Sequence, residues 1–213
     1  MPRRRFHSRD GNRAAACGAL CEQAGRCRRC PRLAGKQAVL SALNGPLSPR
    51  VLFIGEAPGR RGADRTRRPF TGDESGERFG ELLAQAGLRR GEVFITNAVL
   101  CCPADARKNR PPLGTEIRNC NRFLRRTLEV IRPPVVATVG VVALGALARL
   151  LGRRYKLSEV AGTIIPVDGF LLVPLYHPSP RVLHTVRSLP QQRADFAALG
   201  RAVQQCEAAR ADP

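Results

Sequence analysis

The chain is short of acids. Its 213 residues carry 17 Asp and Glu against 36 Lys and Arg, a formal net charge of +19, with arginine heavily dominant. A compositional bias towards Arg, Ala, Gly and Pro would raise the arginine count by itself, but it does not account for so few compensating carboxylates. An excess of this size favours a polyanionic partner, most commonly nucleic acid. A long apolar run is also missing. The longest, between Arg132 and Arg149, is interrupted by Pro133-Pro134 and Gly140 and falls short of the roughly 20 residues that span a bilayer. The basic start, MPRRRFHSRDGNR, has no apolar segment behind it and so does not read as a secretory signal. A soluble cytoplasmic protein with no membrane partner is expected. Neither G-x-x-x-x-G-K-[ST] nor G-x-G-x-x-G occurs, so no nucleotide cofactor is expected. There is no internal repeat.

What remains is ordinary for a folded protein. A hydrophobic content of 43% argues against wholesale disorder, and the length suffices for one substantial core. Residues 1–13 read as a basic disordered tail, 14–205 as one domain and 206–213 as a C-terminal tail. Val51–Ile54, Val93–Val99, Val135–Val139, Val160–Val167 and Phe170–Leu175 have the short apolar pattern of strands. Between them, helical spacing joins Phe79, Leu82, Leu83 and Ala86, with Gly87 placed to stop the helix. It also joins Ile117, Cys120, Leu124, Leu128 and Ile131 behind Thr115 as N-cap, and Phe196, Leu199, Val203 and Cys206 near the end. Strands alternating with helices predict an α/β fold, a three-layer α/β/α sandwich around a mostly parallel sheet of four to five strands.

The stretch Val51 to Asp73 draws most attention. A strand breaks at Gly55 and is followed by Glu56, then Pro58-Gly59, an arginine-rich loop, Pro69-Phe70 and Gly72-Asp73. Strand ends of this kind build ligand sites in open α/β sheets. Asn97 and His177 also stand at or near strand ends, so the three polar residues can converge on one rim. Their chemistry suits a planar heterocycle: Asn donates and accepts side by side, Glu accepts from a ring N–H, His donates to a carbonyl or developing anion, and Phe70 offers a stacking face. Taken singly, each has a plainer explanation as a turn former, a cap or a surface loop residue. The basic loops Arg60-Arg61, Arg65–Arg68, Arg107–Arg110 and Arg181–Arg187 read as phosphate contacts, or as solvated basic surface.

Eight cysteines in a reducing compartment point away from disulfides and towards metal or cluster ligation. Cys27 and Cys30 have a two-residue gap that lets both sulfurs reach one metal, and 18 residues separate Cys101 from Cys120. Spacing alone permits either a [4Fe–4S] cluster on Cys27, Cys30, Cys101 and Cys120 or a local zinc site on Cys17, Cys21, Cys27 and Cys30. Burial as small core residues is the plainer fate of Cys101, Cys102 and Cys120.

GEAPG at Gly55–Gly59, Pro69-Phe70-Thr71-Gly72, TNAVLC at Thr96–Cys101 and HPS at His177–Ser179, with Cys27 and Cys30 ahead of them, resemble the iron–sulfur uracil-DNA glycosylases over roughly residues 24–200. GEAPG looks like family 4 of that superfamily, and the loop through Asp64 to Asp73 looks like family 5. The covalently cross-linking relatives carry K-R-R-I-H after the Asn strand; here ARKNRPP lacks the histidine, so covalent capture of DNA is not expected.

The resemblance implies a monofunctional enzyme that acts on uracil-containing DNA, and a monomer is expected of an enzyme that must follow DNA. Glu56, Ala57, Gly59, Phe70, Asn97 and His177 would bind the base, and His177 would stabilise the departing uracil anion. Ala57 stands where many glycosylases keep a water-positioning Asp, and Asp73, or else Asp64, would replace it. Ser179, Arg181, Val182, Leu183 and Arg187 would meet the DNA, with Val182 or Leu183 as a wedge. Cys27, Cys30, Cys101 and Cys120 would hold a [4Fe–4S] cluster, with Cys102 as a substitute for Cys101. The rival from another class is a non-catalytic, metal-stapled nucleic-acid-binding protein.

Overall fold

Short runs rich in Val, Ile and Phe make the strands, a composition that suits a pleated surface buried on both faces. The computed structural model describes residues 6–104 and 108–211, with side chains from residue 11 onwards. The strands β1 (Val51–Gly55), β2 (Val93–Asn97), β3 (Val135–Val139), β4 (Ile165–Val167) and β5 (Phe170–Leu175) form one sheet in the order β2-β1-β3-β5-β4. All pairings are parallel except β4 with β5. Every residue of β1, β2 and β3 is buried. The predicted α/β architecture with a mostly parallel five-stranded sheet is what the chain adopts.

The helices are α1 (Phe6–Gly25), α2 (Ala63–Thr66), α3 (Glu74–Gln85), α4 (Gly114–Ile131), α5 (Val141–Leu150), α6 (Leu157–Val160), α7 (Pro180–Thr185) and α8 (Leu189–Ala211). Leu124 and Phe123 of α4 and Leu144 and Leu147 of α5 cover one face of the sheet, joined by Leu20 and Ala24 of α1. Phe79, Leu82 and Leu83 of α3 and Phe196, Leu199 and Val203 of α8 cover the other. These two apolar layers make the three-layer sandwich.

Three boundaries differ from the sequence reading. The N-terminal tail drawn to residue 13 overlaps α1, which begins at Phe6; residues 1–5 lie outside the described residues. The run from Ala14 to Ala24 is rich in Ala, the best helix former, and it buries Cys17, Leu20 and Ala24. The C-terminal tail drawn from residue 206 is likewise helical as far as Ala211, since no Gly or Pro lies between Arg201 and Ala211; residues 212–213 lie outside the described residues. Glu207 ties that extension back to Arg50, whose Nε and Nη2 donate to its carboxylate at 2.7 and 3.0 Å. The strand expected over Val160–Val167 is split into α6 and β4, since Leu157 turns into the core and Gly162 takes φ +72° between them. On α4, the expected cap Thr115 lies inside the helix. Glu116 instead reaches back to accept from the Leu113 N–H at 2.8 Å.

The order of the strands positions the site. From β1 the chain moves outwards to β2, then returns past β1 to β3 on its other side. Connections leaving such a switch point diverge, and the crevice between them opens at the carboxyl ends of the strands. Gly55 and Gly140, at the ends of β1 and β3, both line the cavity found there.

Candidate functional site

Gly55 and Asn97 are register partners at the ends of β1 and β2. A Cβ on Gly55 would lie 2.5 Å from Asn97 Oδ1 and 3.7 Å from Phe70 Cε2. Only glycine therefore leaves room for the Asn97 amide at the strand end, with the Phe70 ring at ordinary contact distance. Asn97 is 6% exposed. Phe70 adopts φ +50°, an unfavourable conformation for a bulky residue. Two contacts hold it there. Its ring stacks on Phe79 with centroids 4.2 Å apart and planes 17° from parallel. Its backbone sits so close to Gly76 that a Cβ there would come within 2.7 Å of the Phe70 carbonyl.

His177 leaves the end of β5, with its ring centroid 5.9 Å from that of Phe70. Glu56, Ala57, Gly59, Phe70, Asp73, Asn97 and His177 line one cavity of about 820 Å³. The seven residues predicted to bind or transform a base are thus brought together. Burial raises the Glu56 carboxyl above its ordinary pKa. Burial also lowers the His177 imidazole below its ordinary 6.5, opposed by the nearby charge of Asp73. A neutral imidazole at pH 7 follows, with one N–H to donate.

Asp73 divides its carboxylate. As N-cap of α3, its Oδ1 accepts from the Gly76 N–H at 2.9 Å. Its Oδ2 faces the Gly59–Gly62 turn, 3.4 Å from the position a Cβ on Gly59 would take. Asp64, the other acid considered for positioning water, is turned away. Its carboxylate meets Lys36 Nζ at 3.5 Å, and it does not line the cavity. A further polar group reaches the same turn. Asn109 lines the cavity, accepts from the Arg60 backbone N–H at 3.0 Å through Oδ1, and brings Nδ2 towards Gly59. In the sequence Asn109 lay within a loop read only for its charges. The signal available was the turn-forming Asn109-Arg110-Pro111-Pro112, whose return across Gly59 depends on long-range pairing.

Of the residues predicted to meet DNA, Ser179, Arg181 and Val182 line the cavity mouth, and Leu183 is half-buried beside them on α7. Arg187 does not line the cavity. Its guanidinium binds both carboxylate oxygens of Asp195, at 3.0 and 2.5 Å, and Asp195 is only 3% exposed. A buried carboxylate needs its counter-ion, so this arginine is committed to the fold. Arg67 and Arg110, from the basic loops, are also held internally. Arg67 donates to the carbonyls of Gln37 and Ala38, and Arg110 makes two bonds to the buried Glu116. Among the described residues, Arg61, Arg65, Arg68 and Arg181 are exposed and no ion pair engages them. Arg107 lies outside the described residues.

Cys27, Cys30, Cys101 and Cys120 line a second, smaller pocket beside α4. Cys27 and Cys30 follow α1, Cys101 follows β2, and Cys120 faces them from the second turn of α4. Two sulfurs have N–H donors: Arg122 Nη2 lies 3.4 Å from Cys27 Sγ, and Asn119 Nδ2 lies 3.6 Å from Cys30 Sγ. Burial and the neighbouring sulfurs push the Cys101 thiol up to about 12 and the Cys120 thiol up to about 11. Cys102, considered as a substitute for Cys101, is fully buried on another side, where Asp64 is its neighbour. The zinc alternative is not assembled. Cys17 and Cys21 stand one turn apart on α1 and do not line this pocket. Among the described residues, no three His, Cys, Asp or Glu side chains are arranged around a single ion. No helix among them is long and apolar enough to cross a membrane.

Comparison with known proteins agrees with this geometry. The family model described as the uracil DNA glycosylase superfamily matches residues 43–199. The type-4 uracil-DNA glycosylase of Thermotoga maritima is 35% identical over 163 residues, covering 75% of this chain and 80% of its own. The type-5 uracil-DNA glycosylase of Pyrobaculum aerophilum is 32% identical, with 76% and 81% covered. The type-4 uracil-DNA glycosylase of Archaeoglobus fulgidus is also 32% identical, with 82% and 86% covered.

Proposed function

Since the chain belongs to the uracil DNA glycosylase superfamily, we propose that it is a DNA repair enzyme that extrudes uracil from DNA and hydrolyses the N-glycosidic bond, leaving an abasic site. The observation that carries this reading is the convergence of Glu56, Phe70, Asn97 and His177 on one cavity at the switch point of the sheet.

The scissile bond lies inside a stacked helix, so the nucleotide must first swing out, at a cost of a few kcal/mol that is least for a single-stranded or mismatched base. Arg181 at the cavity mouth, with the exposed Arg61, Arg65 and Arg68, meets phosphates. Val182 or Leu183 of α7 fills the vacated stack as an apolar wedge. The extruded uracil stacks on Phe70, whose ring is braced by Phe79. Asn97 reads the pyrimidine edge with its paired donor and acceptor, and Glu56 accepts from the ring N–H. Thymine differs only by a methyl group, so the base is selected by shape, against the wall at Phe70 and Gly59.

Cleavage leaves negative charge on the uracil and positive character on the sugar. His177, neutral and held at the end of β5, donates its N–H to uracil O2 as that charge grows, the logic of an oxyanion hole. Asp73 keeps one carboxylate oxygen free of the helix cap and directed to the Gly59–Gly62 turn. In this reading that oxygen orients the attacking water, the role Ala57 cannot fill.

Cys27, Cys30, Cys101 and Cys120 suit a [4Fe–4S] cluster, because four cysteines from three separate places in the chain line one pocket. N–H donors to two of the sulfurs fit thiolates that carry cluster charge. When bound, the cluster would supply a staple between the end of α1, the loop after β2 and α4. No redox step is needed for hydrolysis.

The function is tested on a DNA strand with one uracil, incubated with the protein and then treated with alkali. A break at the uracil is expected, with none at thymine in the same position. DNA binding without a break would overturn the assignment.

A further inference from the structure

The segment that carries the wedge leaves β5 at Tyr176 and rejoins the fold at α8, and both of its ends are fastened to the same helix. At the first end, Gln192 Nε2 lies 3.4 Å from the His177 carbonyl oxygen. At the second, the same amide lies 3.3 Å from the Arg187 carbonyl oxygen. One turn further along α8, Asp195 takes the Arg187 guanidinium in a two-point bond. Gln192 and Asp195 are 1% and 3% exposed, so these are interior fixings and not surface pairs.

The surroundings limit where Asp195 can go. A Cβ on Gly162 would fall within 3.0 Å of its Cγ, so that residue backs it closely. The Arg187 guanidinium also lies over the Tyr176 ring, 5.8 Å from its centroid, linking the two ends of the excursion directly. Between them α7 is short. Its last turn is closed by the backbone N–H groups of Val186 and Arg187 donating to the Val182 carbonyl at 2.9 and 3.0 Å. A six-residue helix is too short to hold its own orientation, so its placement comes from these anchors.

We infer that Asp195 and Arg187 are positioning residues for base extrusion: the pair fixes the outgoing end of α7 and so holds Val182 and Leu183 at the height needed to enter the stack. Neither residue reaches the cavity. This inference rests on the reading of α7 as the wedge. The consequence is selective. Extrusion from duplex DNA has stacking to overcome and needs the wedge, whereas a base in single-stranded DNA needs it far less. A loosened α7 should lower duplex excision more than single-strand excision. A merely structural pair would lower both alike.

The test compares single-turnover uracil excision from duplex and from single-stranded DNA of the same sequence. The double variant Arg187→Met/Asp195→Asn removes both charges together, leaving no unpaired buried ion, and thermal melting checks its fold. The duplex-to-single-strand rate ratio is expected to fall on the order of tenfold or more, the scale of a misplaced positioning group. Arg187→Lys keeps a cation against Asp195 but loses the two-point bond. It is expected to move the ratio in the same direction by a smaller factor, and it decides the matter if the double variant fails to fold. Val182→Ala/Leu183→Ala tests the wedge reading separately. If that variant lowers the ratio and the Arg187 variants do not, the positioning role is wrong and the wedge stands. If none of the three changes the ratio, both readings fall.

Discussion

Asn97 Oδ1 occupies the space in which Gly55 would carry a side chain, 2.5 Å from where its Cβ would be. The two residues are register partners on adjacent parallel strands, so neither can retreat without breaking the ladder. The amide proposed to read the base is therefore aimed by a glycine on the neighbouring strand. Gly55→Ala is expected to turn Asn97 out of place and lower uracil excision by about a hundredfold, the scale of a small misplacement of a reacting group. Overpacking a filled core costs about 1–3 kcal/mol, so the variant should still fold. Excision kinetics with a thermal melt check both halves; an active variant would show that Asn97 has another resting place.

Phe70 is held in a left-handed backbone conformation and braced by Phe79. Phe70→Ala removes the stacking face while leaving Asn97 and His177. Stacking of a base on an aromatic ring is worth about 1–3 kcal/mol, so excision should fall between roughly fivefold and a hundredfold. The positive φ stays unfavourable, because alanine also carries a Cβ, so the ring's packing on Phe79 is a net loss of stability. Unchanged kinetics would remove Phe70 from the pocket as described.

The protonation of His177 has a sign that can be measured. Burial holds its pKa below the ordinary 6.5, and the charge of Asp73 pulls it partly back. Asp73→Asn, which keeps a capping oxygen, is expected to lower the His177 pKa further, seen by NMR titration of the imidazole. Because the folded-state value lies below the unfolded one, the unfolded chain takes the proton first, and His177 costs stability as pH falls below 6.5. A His177 pKa that rose in the variant would contradict the placement of Asp73.

The cysteine pocket gives a prediction that separates neighbours in sequence. Cys101 lines it and Cys102 does not. Cys101→Ala is expected to lose the iron content and broad visible absorption of the purified protein, and Cys102→Ala to keep both. Colourless protein with one bound zinc would overturn the cluster assignment.

Much of this was legible in the chain itself. The strands ending at Gly55, Val139 and Leu175 follow from short apolar runs, and the motif residues Glu56, Phe70, Asn97 and His177 sit where strand ends gather. Charge was a poorer guide. Arg67, Arg110 and Arg187 look alike in sequence to Arg61, Arg65 and Arg181, but a buried Glu116, a buried Asp195 and the carbonyls of Gln37 and Ala38 claim them. Which arginines are free depends on partners 6 to 30 residues away, and local pattern does not carry that. Asn109 was hidden for the same reason, since its side chain meets the Gly59–Gly62 turn through a bond to the Arg60 backbone, 49 residues away.

The central claim is that this cavity excises uracil through His177. Single-turnover release of free uracil, measured for the native protein and for His177→Ala with both shown to be folded, tests it most directly. The native protein should release uracil and leave thymine in place, and the variant should be slower by about two to three orders of magnitude, the scale of removing one preorganised anion donor. Absence of release by the native protein, or an undiminished rate in the variant, would contradict the account.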